Sequence, residues 1–256
     1  MKNTPFFTII TPTFNSEKYL KECIQGIESQ SCRNWEHIFI DSYSNDKTMK
    51  ILNSYKKRNP HRVFIYRYPK SGISNAFNQG IKHSRGKYLN FLGSDDILES
   101  EALQTVYQKM KNSKFGWCYG NFKIINGQGK VIKKKQYRFE KFSYLNLQFH
   151  FYICHQTVFM KREMFNRYGL FRSDLKFNMD HEYWLRIGKK EKPLYIDKFL
   201  CRFRMDNTNI SSDKLHQFKE KNIIFKEYGS PLNYWVLLPL RYLDFFIFKL
   251  WRYFKH

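Results

Sequence analysis

Two aspartates stand side by side at the end of an apolar run, "LNFLGSDD", residues 89–96. The run has the length of a strand and stops at glycine and serine. Carboxylates in that position have two uses. They can hold a divalent cation, because hard cations take carboxylate oxygens. They can also cap a helix starting near Ser100, because aspartate accepts from the free N–H groups of a first turn. The residues alone leave both readings open.

What must position Asp95 and Asp96 is a series of strands and helices. "FFTIITPTF" reads as a buried strand, and "SEKYLKECIQGIESQ" as a helix with Ser16 as candidate N-cap. Tyr19, Leu20, Cys23, Ile24 and Ile27 fall on one face of that helix. "WEHIFIDS", "RVFIYRY" and "KYLNFLGS" read as further strands, separated by the helical "KTMKILNSYKKR" and "ISNAFNQGIKHS". Strands alternating with helices imply a parallel sheet covered on both faces. Ligands of such sheets bind beyond the carboxyl ends of the strands. Those ends carry Thr11, Pro12, Thr13, Phe14 and Asn15, then Asp41 and Ser42, then Ser94, Asp95 and Asp96. Polar and acidic groups therefore converge on one rim.

The second half is less regular. A helix over "LESEALQTVYQKMKNS" precedes a hairpin turning at Asn126 to Gly129. "HQTVFMKR" reads as a strand, "NMDHEYWLRIGKK" as a short helix with Asp180 near its start, and "LYIDKFLCRFRM" as a late strand. "DKLHQFKEKNIIFKEYG" reads as a helix. No repeat or low-complexity linker interrupts the chain. The expected organisation is one catalytic domain over residues 1–212 and a helical extension over 213–256.

Composition narrows the class. The chain has 256 residues, 42% of them hydrophobic and 19% aromatic, so it can bury a real core and is not a disordered tail. Lys and Arg number 45 against 22 Asp and Glu, a formal charge of +23. That excess points to anionic company: nucleic acid, phosphorylated substrates or an anionic membrane. No recognised nucleic-acid-binding motif supports the first. The five cysteines are scattered, with no C-x-x-C pair, which argues for a reducing compartment and against a zinc–thiolate site. The N-terminal apolar run is too short for a signal peptide, and no apolar stretch is long enough to span a bilayer. The expectation is a cytoplasmic protein, peripheral on the membrane.

Five motifs carry a resemblance to a known family. "TIITPTFNSEKYLKECIQGIESQS", "IDSYSNDKT", "GISNAFNQGI", "GKYLNFLGSDD" and "NMDHEYWLRIG" occur in the order seen in family 2 glycosyltransferases. These are inverting enzymes of the α/β GT-A fold, a Rossmann-like, mostly parallel sheet flanked by helices. Any one motif is weak, but five in order, over roughly residues 6–212, are specific.

The resemblance implies a nucleotide-sugar donor, most simply UDP-linked, and a glycan acceptor of a capsule, exopolysaccharide or O-antigen pathway. By resemblance, the Thr11–Asn15 loop wraps the nucleoside and Asp41 hydrogen-bonds the base. Asp46 beside it reads as a turn residue. Asp96 binds the divalent metal, Mn²⁺ or Mg²⁺, and Asp95 touches the ribose or the metal shell. Charge building on the diphosphate leaving group is what such a metal neutralises. Asp180 resembles the general base, with His181 and Glu182 as alternatives, and its own competing role is a charge at a helix N-terminus. His155 and Gln156 resemble a pair near the acceptor or the donor phosphates. Departures from the pattern are Met179 where glutamate commonly precedes the base, Lys70 in place of an acidic residue, Asn75 in place of Asp, and "FRMDNTNIS" where many relatives have a histidine. Asp206 either substitutes for that histidine or its role is absent.

The tail has its own pattern. On a helical wheel over residues 240–255, Arg241, Asp244, Lys249, Arg252 and Lys255 fall within an arc of about 140°. Leu240, Leu243, Phe246, Ile247, Leu250, Trp251 and Phe254 occupy the rest. An aromatic apolar face with a basic edge fits a helix lying in an anionic membrane interface, which suits a lipid-linked acceptor. Packing on protein is the alternative. Against the enzyme stand two other classes, a non-catalytic scaffold with the same fold and a basic nucleic-acid binder. Only the enzyme would lose activity on removal of Asp96 or Asp180.

Overall fold

A computed structural model describes residues 4–137, 142–206 and 214–229. In chain order the elements are β1 (Phe7–Thr13), α1 (Leu20–Glu28), β2 (Trp35–Asp41), α2 (Thr48–Arg58), β3 (Val63–Arg67), α3 (Ile73–His83), β4 (Tyr88–Phe91) and β5 (Ile97–Leu98). There follow α4 (Ala102–Met110), β6 (Trp117–Ile125), β7 (Val131–Lys135), α5 (Tyr144–Phe149), a 3₁₀ turn at His155–Thr157 and β8 (Phe159–Lys161). The last are α6 (Glu163–Tyr168), α7 (Met179–Gly188), β9 (Leu194–Arg204) and α8 (Lys214–Tyr228). The reading of residues 240–255 lies outside the described residues.

One sheet runs in the order β3-β2-β1-β4-β8-β6-β9-β5, with β7 paired to β6 off this path. β1 through β4 are mutually parallel, as their unbroken apolar runs imply. α1 and α2 carry the chain outward from β1 to β2 to β3, and α3 brings it back to β4 on the other side of β1. The strand order therefore reverses between β1 and β4, and the crevice at such a reversal is where open α/β sheets bind ligands. In the second half the sheet becomes mixed. β8 is antiparallel to both β4 and β6, and β6 is parallel to β9.

Both faces are closed by apolar packing. On one, Leu20, Cys23, Ile24 and Ile27 of α1 pack with Leu103 and Val106 of α4 over Phe7, Ile9 and Phe39. On the other, α7 lays Tyr183 and Trp184 onto β6, where Trp184 stacks on Trp117 with ring centroids 5.4 Å apart. Each such buried side chain contributes about 2–3 kcal/mol of hydrophobic stabilisation. α8 joins this second core through Ile224, and its Glu220 accepts the backbone N–H groups of Lys176, Phe177 and Asn178. The N-terminus of α7 is thus tied down from α8.

Two local expectations differ. Ser16 is not the cap of α1, which starts at Leu20 with no side-chain cap. Instead Ser16 donates its N–H to Thr48 and takes bonds at its hydroxyl from Phe14 N and Ser94. Asp95 and Asp96 do not cap α4 either. β5 intervenes, and α4 starts after Glu101 with no side-chain cap. The helical reading of Asp95 and Asp96 fails because the chain pairs Ile97–Leu98 with β9 before it turns into the helix.

Candidate active site

The rim begins with two loops that fasten each other. Thr13 lies opposite Asp41 in the β1–β2 register and donates to its Oδ1 at 3.1 Å. Ser44 donates to Asp41 through its N–H at 3.0 Å and its hydroxyl at 2.5 Å, and the Arg67 Nε lies 3.4 Å from Oδ2. Asn15 donates its N–H to the Ser44 hydroxyl and accepts the Asn45 N–H at its Oδ1, and Asp46 accepts from Glu17 N and Thr48 N, the turn role expected of it. Asn15 and Tyr43 both sit at positive φ, 49° and 57°, so these loops hold backbone strain where a ligand would lie.

The expected nucleotide loop divides by exposure. Thr11 is buried and bonds His37, whose pKa burial lowers to about 3, so the imidazole is neutral. Thr13 is also buried, Pro12 is half-buried, and Phe14 and Asn15 face solvent. The Lys70 ammonium sits 3.9 Å over the Phe14 ring. Beyond the ends of β2 and β3 a cavity of about 260 Å³ opens, lined by Ile40, Ser42, Tyr68, Pro69 and Ser71.

β4 ends at Phe91, and the next residues fold back on themselves. A Cβ on Gly93 would lie 2.5 Å from Asp96 Oδ2 and 2.8 Å from Asp95 Oδ1, so both carboxylates lean over one glycine. Ser94 bonds Ser16 at 3.0 Å and joins this turn to the first loop. Asp96 is only 2% exposed. Its Oδ2 accepts from Gln156 Nε2 at 2.6 Å and its Oδ1 from the Arg204 N–H at 2.9 Å. Burial first, then the charge of Asp95, pushes its pKa up to about 7. Asp95 is raised as well, by burial, against the lowering pull of Arg204 and His155.

His155 and Gln156 occupy the 3₁₀ turn, and they face opposite partners. Gln156 reaches back to Asp96, and His155 Nδ1 lies 3.3 Å from Asp180 Oδ2. Asn90, the one polar side chain inside the "YLNF" strand, donates to Gln156 O and Val158 O at 2.9 Å and pins the turn to β4. Asp180 and His155 are each 20% exposed. Burial works to raise the Asp180 pKa, but the His155 hydrogen bond and charge, with the His181 N–H on Oδ1, bring it below the usual carboxylate value. The two alternatives for a base are closed off. Glu182 is 1% exposed, bidentate to Arg186 and bonded by Tyr228, and His181 is buried with its ring stacked on Phe151.

The sequence-derived residues thus form one connected set. It runs from Asp41 through Ser44, Asn15, Ser16 and Ser94 to Asp95 and Asp96, then through Gln156 and His155 to Asp180. Arg204 and Asn90 were missed. Asn90 had a signal, a polar residue inside an apolar strand. Arg204 had none, since a basic residue at a strand end reads as a surface charge. Asp206 accepts from Tyr19 at 2.5 Å and Lys18 at 2.8 Å, beside the hairpin turn at Gly127.

The donor chemistry at Gly93 fits a hard divalent cation: two carboxylates over one point, with the nearby Arg204 side chain bonded to the Asp95 carbonyl and not to either carboxylate. No group of three His, Cys, Asp or Glu side chains suited to a metal occurs among the described residues. A cation such as Mg²⁺ needs only one or two protein carboxylates when phosphate and water complete its shell.

Comparison with known proteins gives a consistent picture. The family model "Glycosyl transferase family 2" matches residues 8–169, more than half of the chain. An Escherichia coli protein named UDP-Glc:alpha-D-GlcNAc-diphosphoundecaprenol beta-1,3-glucosyltransferase WfgD is 29% identical over 220 residues, 84% of this chain and 83% of its own. Among solved structures, S. aureus TarS 1-349 in complex with UDP-GlcNAc superposes with a TM-score of 0.71 at 18% identity, covering 88% of this chain and 67% of that one. This chain covers only 38% of the longer TarS structure. Mannosyltransferase PcManGT from Pyrobaculum calidifontis, in complex with GDP-Man and Mn²⁺, gives 0.65 at 15% identity, covering 93% of this chain and 70% of that one. At these identities the structural likeness is one of fold.

Proposed function

The chain belongs to glycosyl transferase family 2 and has the GT-A fold of its structural neighbours; from that premise we propose a specific reaction for it. A sugar moves, with inversion, from a nucleotide-sugar donor to a hydroxyl of a lipid-linked glycan acceptor in cell-surface polysaccharide biosynthesis. The observation that carries this reading is the His155–Gln156 turn, which reaches the Asp96 carboxylate with one side chain and the Asp180 carboxylate with the next.

The two carboxylates have opposite environments, and sites whose neighbours push pKa values apart divide their labour. Asp180, held below its usual pKa, is ionised at neutral pH, the form that takes a proton. The acceptor oxygen attacks the anomeric carbon opposite the diphosphate and its proton passes to Asp180. The anomeric carbon–oxygen bond breaks, and its electron pair leaves with the diphosphate. Asp96, with Asp95 in the same shell or at the ribose, would hold Mn²⁺ or Mg²⁺, which supplies neutralisation of the charge on that leaving group. Exposed Phe14 and Asn15, with the 260 Å³ cavity beside Ser42, support nucleoside binding at the β1 and β2 ends. Asp41 either meets the base by exchanging its Arg67 contact or fixes the loop that does.

UDP is the first choice of nucleotide, because the names of WfgD and of the TarS complex carry it. The diphosphoundecaprenol in the WfgD name supports a lipid-linked acceptor. That acceptor, the +23 charge and the amphipathic pattern of residues 240–255 together support a cytoplasmic enzyme docked on an anionic membrane. No helix among the described residues is long and apolar enough to cross one.

The test is a thermal-shift panel of UDP-, GDP- and dTDP-sugars with and without Mn²⁺. A specific donor raises Tm by mass action, and the rise needs Mn²⁺. No shift with any donor defeats the enzyme reading. Binding of RNA or DNA that survives Asp96→Ala and falls steeply with salt would put the nucleic-acid reading in its place.

A further inference from the structure

We propose that Arg204 is a positioning residue for the Asp95–Asp96 pair, a buried clamp that sets both carboxylates for a cation without neutralising either. The proposal rests on the functional reading above. Arg204 is the last residue of β9, and its side chain is 0% exposed. A buried guanidinium is costly unless its donors are met. Here they are met by an unusual set. Nε donates to the Asp95 carbonyl at 2.9 Å, and Nη1 donates to the Asn126 and Gly127 carbonyls at 3.1 and 3.2 Å. Nη2 reaches Glu22 of α1 at 2.7 Å. The guanidinium lies 4.2 Å over the Tyr19 ring, and the Arg204 backbone N–H bonds Asp96 Oδ1.

An arginine this close to two carboxylates ordinarily pairs with one of them, fork to fork. This one takes the backbone of Asp95 instead. Among the described residues its carboxylate partner by ion pairing is Glu22, which is 43% exposed. The Arg204 side chain therefore takes neither the Asp95 nor the Asp96 carboxylate, and both stay available to another cation. The same fork grips the β6–β7 turn, so one side chain on β9 ties together three other segments: the Asp95 turn, the β6–β7 turn and α1. Only a planar, five-donor group can meet two carbonyl-bearing segments and a carboxylate in three directions, and a lysine cannot.

The experiment measures the Mn²⁺ concentration giving the half-maximal UDP-sugar thermal shift, alongside steady-state kinetics, in wild type, Arg204→Lys and Glu22→Gln. Arg204→Lys is expected to raise that concentration at least tenfold and to lower kcat, with acceptor KM unchanged. Glu22→Gln, which loosens the clamp from its exposed end, is expected to move it about threefold in the same direction. Should Arg204→Lys fail to fold, Glu22→Gln carries the test. A folded Arg204→Lys that loses Tm but keeps its Mn²⁺ half-saturation within twofold overturns the proposal, since it marks a merely structural role. An unchanged Glu22→Gln, with Arg204→Lys unfolded, overturns it equally. A wild-type donor shift indifferent to Mn²⁺ defeats the functional reading and this inference with it.

Discussion

Asp41 and Asp96 stand beyond two parallel strands that flank β1, and both are almost sealed from solvent, at 0% and 2% exposure. Their surroundings are opposite. Asp41 meets three hydrogen-bond donors and the Arg67 guanidinium. Asp96 meets two donors and a second carboxylate, and the nearest arginine side chain bonds a carbonyl. The first arrangement is complete as it stands and fastens two loops. The second leaves its ionised form without a compensating cation, which is the condition under which a bound cation gains most. Burial alone does not mark a ligand site; burial with an unbalanced charge does.

Variants at both ends can break that contrast. The largest effect is expected from Asp180→Asn. Loss of a general base costs roughly 10²–10⁴ in rate, so transfer should collapse in steady-state assays while the Mn²⁺-dependent donor shift survives. If the donor shift disappears too, Asp180 belongs to the donor end and the division of labour is wrong.

Asp96→Asn comes next. Its folded pKa, about 7, lies above the unfolded value, so between about pH 4 and 7 the folded protein holds the extra proton. Stability from this group is full below the unfolded value and declines as pH rises towards 7, by about 1.4 kcal/mol per unit. In metal-free protein Asp96→Asn should flatten that decline in a urea-melt series and abolish the metal-dependent donor shift. Asp180 works with the opposite sign: its depressed pKa adds stability above the unfolded value, lost as pH falls through the folded one. A decline as steep in Asp96→Asn as in wild type would mean that Asp96 carries no unbalanced charge.

Gly93→Ala drives a Cβ into both carboxylates. Because the clashing atoms are side-chain ends, about 1 kcal/mol of stability is expected to go, with a tenfold weaker Mn²⁺ response. The smallest catalytic effect is expected from Asp41→Asn. It breaks the Arg67 pair and costs about 1–3 kcal/mol of stability, raising donor KM with the Mn²⁺ half-saturation unchanged. A shifted Mn²⁺ half-saturation there would erase the distinction between the two carboxylates.

The parallel half was legible because its signals are local. Apolar runs, helical periodicity and polar strand ends put Thr11–Asn15, Asp41 and Asp95–Asp96 on one rim before any coordinates. The second half was legible in part: the hairpin at Asn126–Gly129, α7, β9 and α8 fall where the sequence reads them, but its shortest pieces do not. β5 is two residues long, β8 is three, and "HQTVF" reads as a strand although its first three residues form the 3₁₀ turn. Ser16 misled for a related reason. Its hydroxyl suits a helix cap, but a partner 78 residues away, Ser94, claimed it.

The sequence by itself determined which chemistry was available: paired carboxylates after a buried strand, a histidine–glutamine pair and an aspartate at a helix start, in a fixed order. Those are properties of side chains and short periods. Only the tertiary structure decided which carboxylate is paired with a cation, which is raised in pKa and which is lowered. These outcomes depend on partners far along the chain: Gln156 is 60 residues from Asp96, and Arg204 is 108. Electrostatic energy in a buried site is set by distance and dielectric, and neither is written into the order of residues.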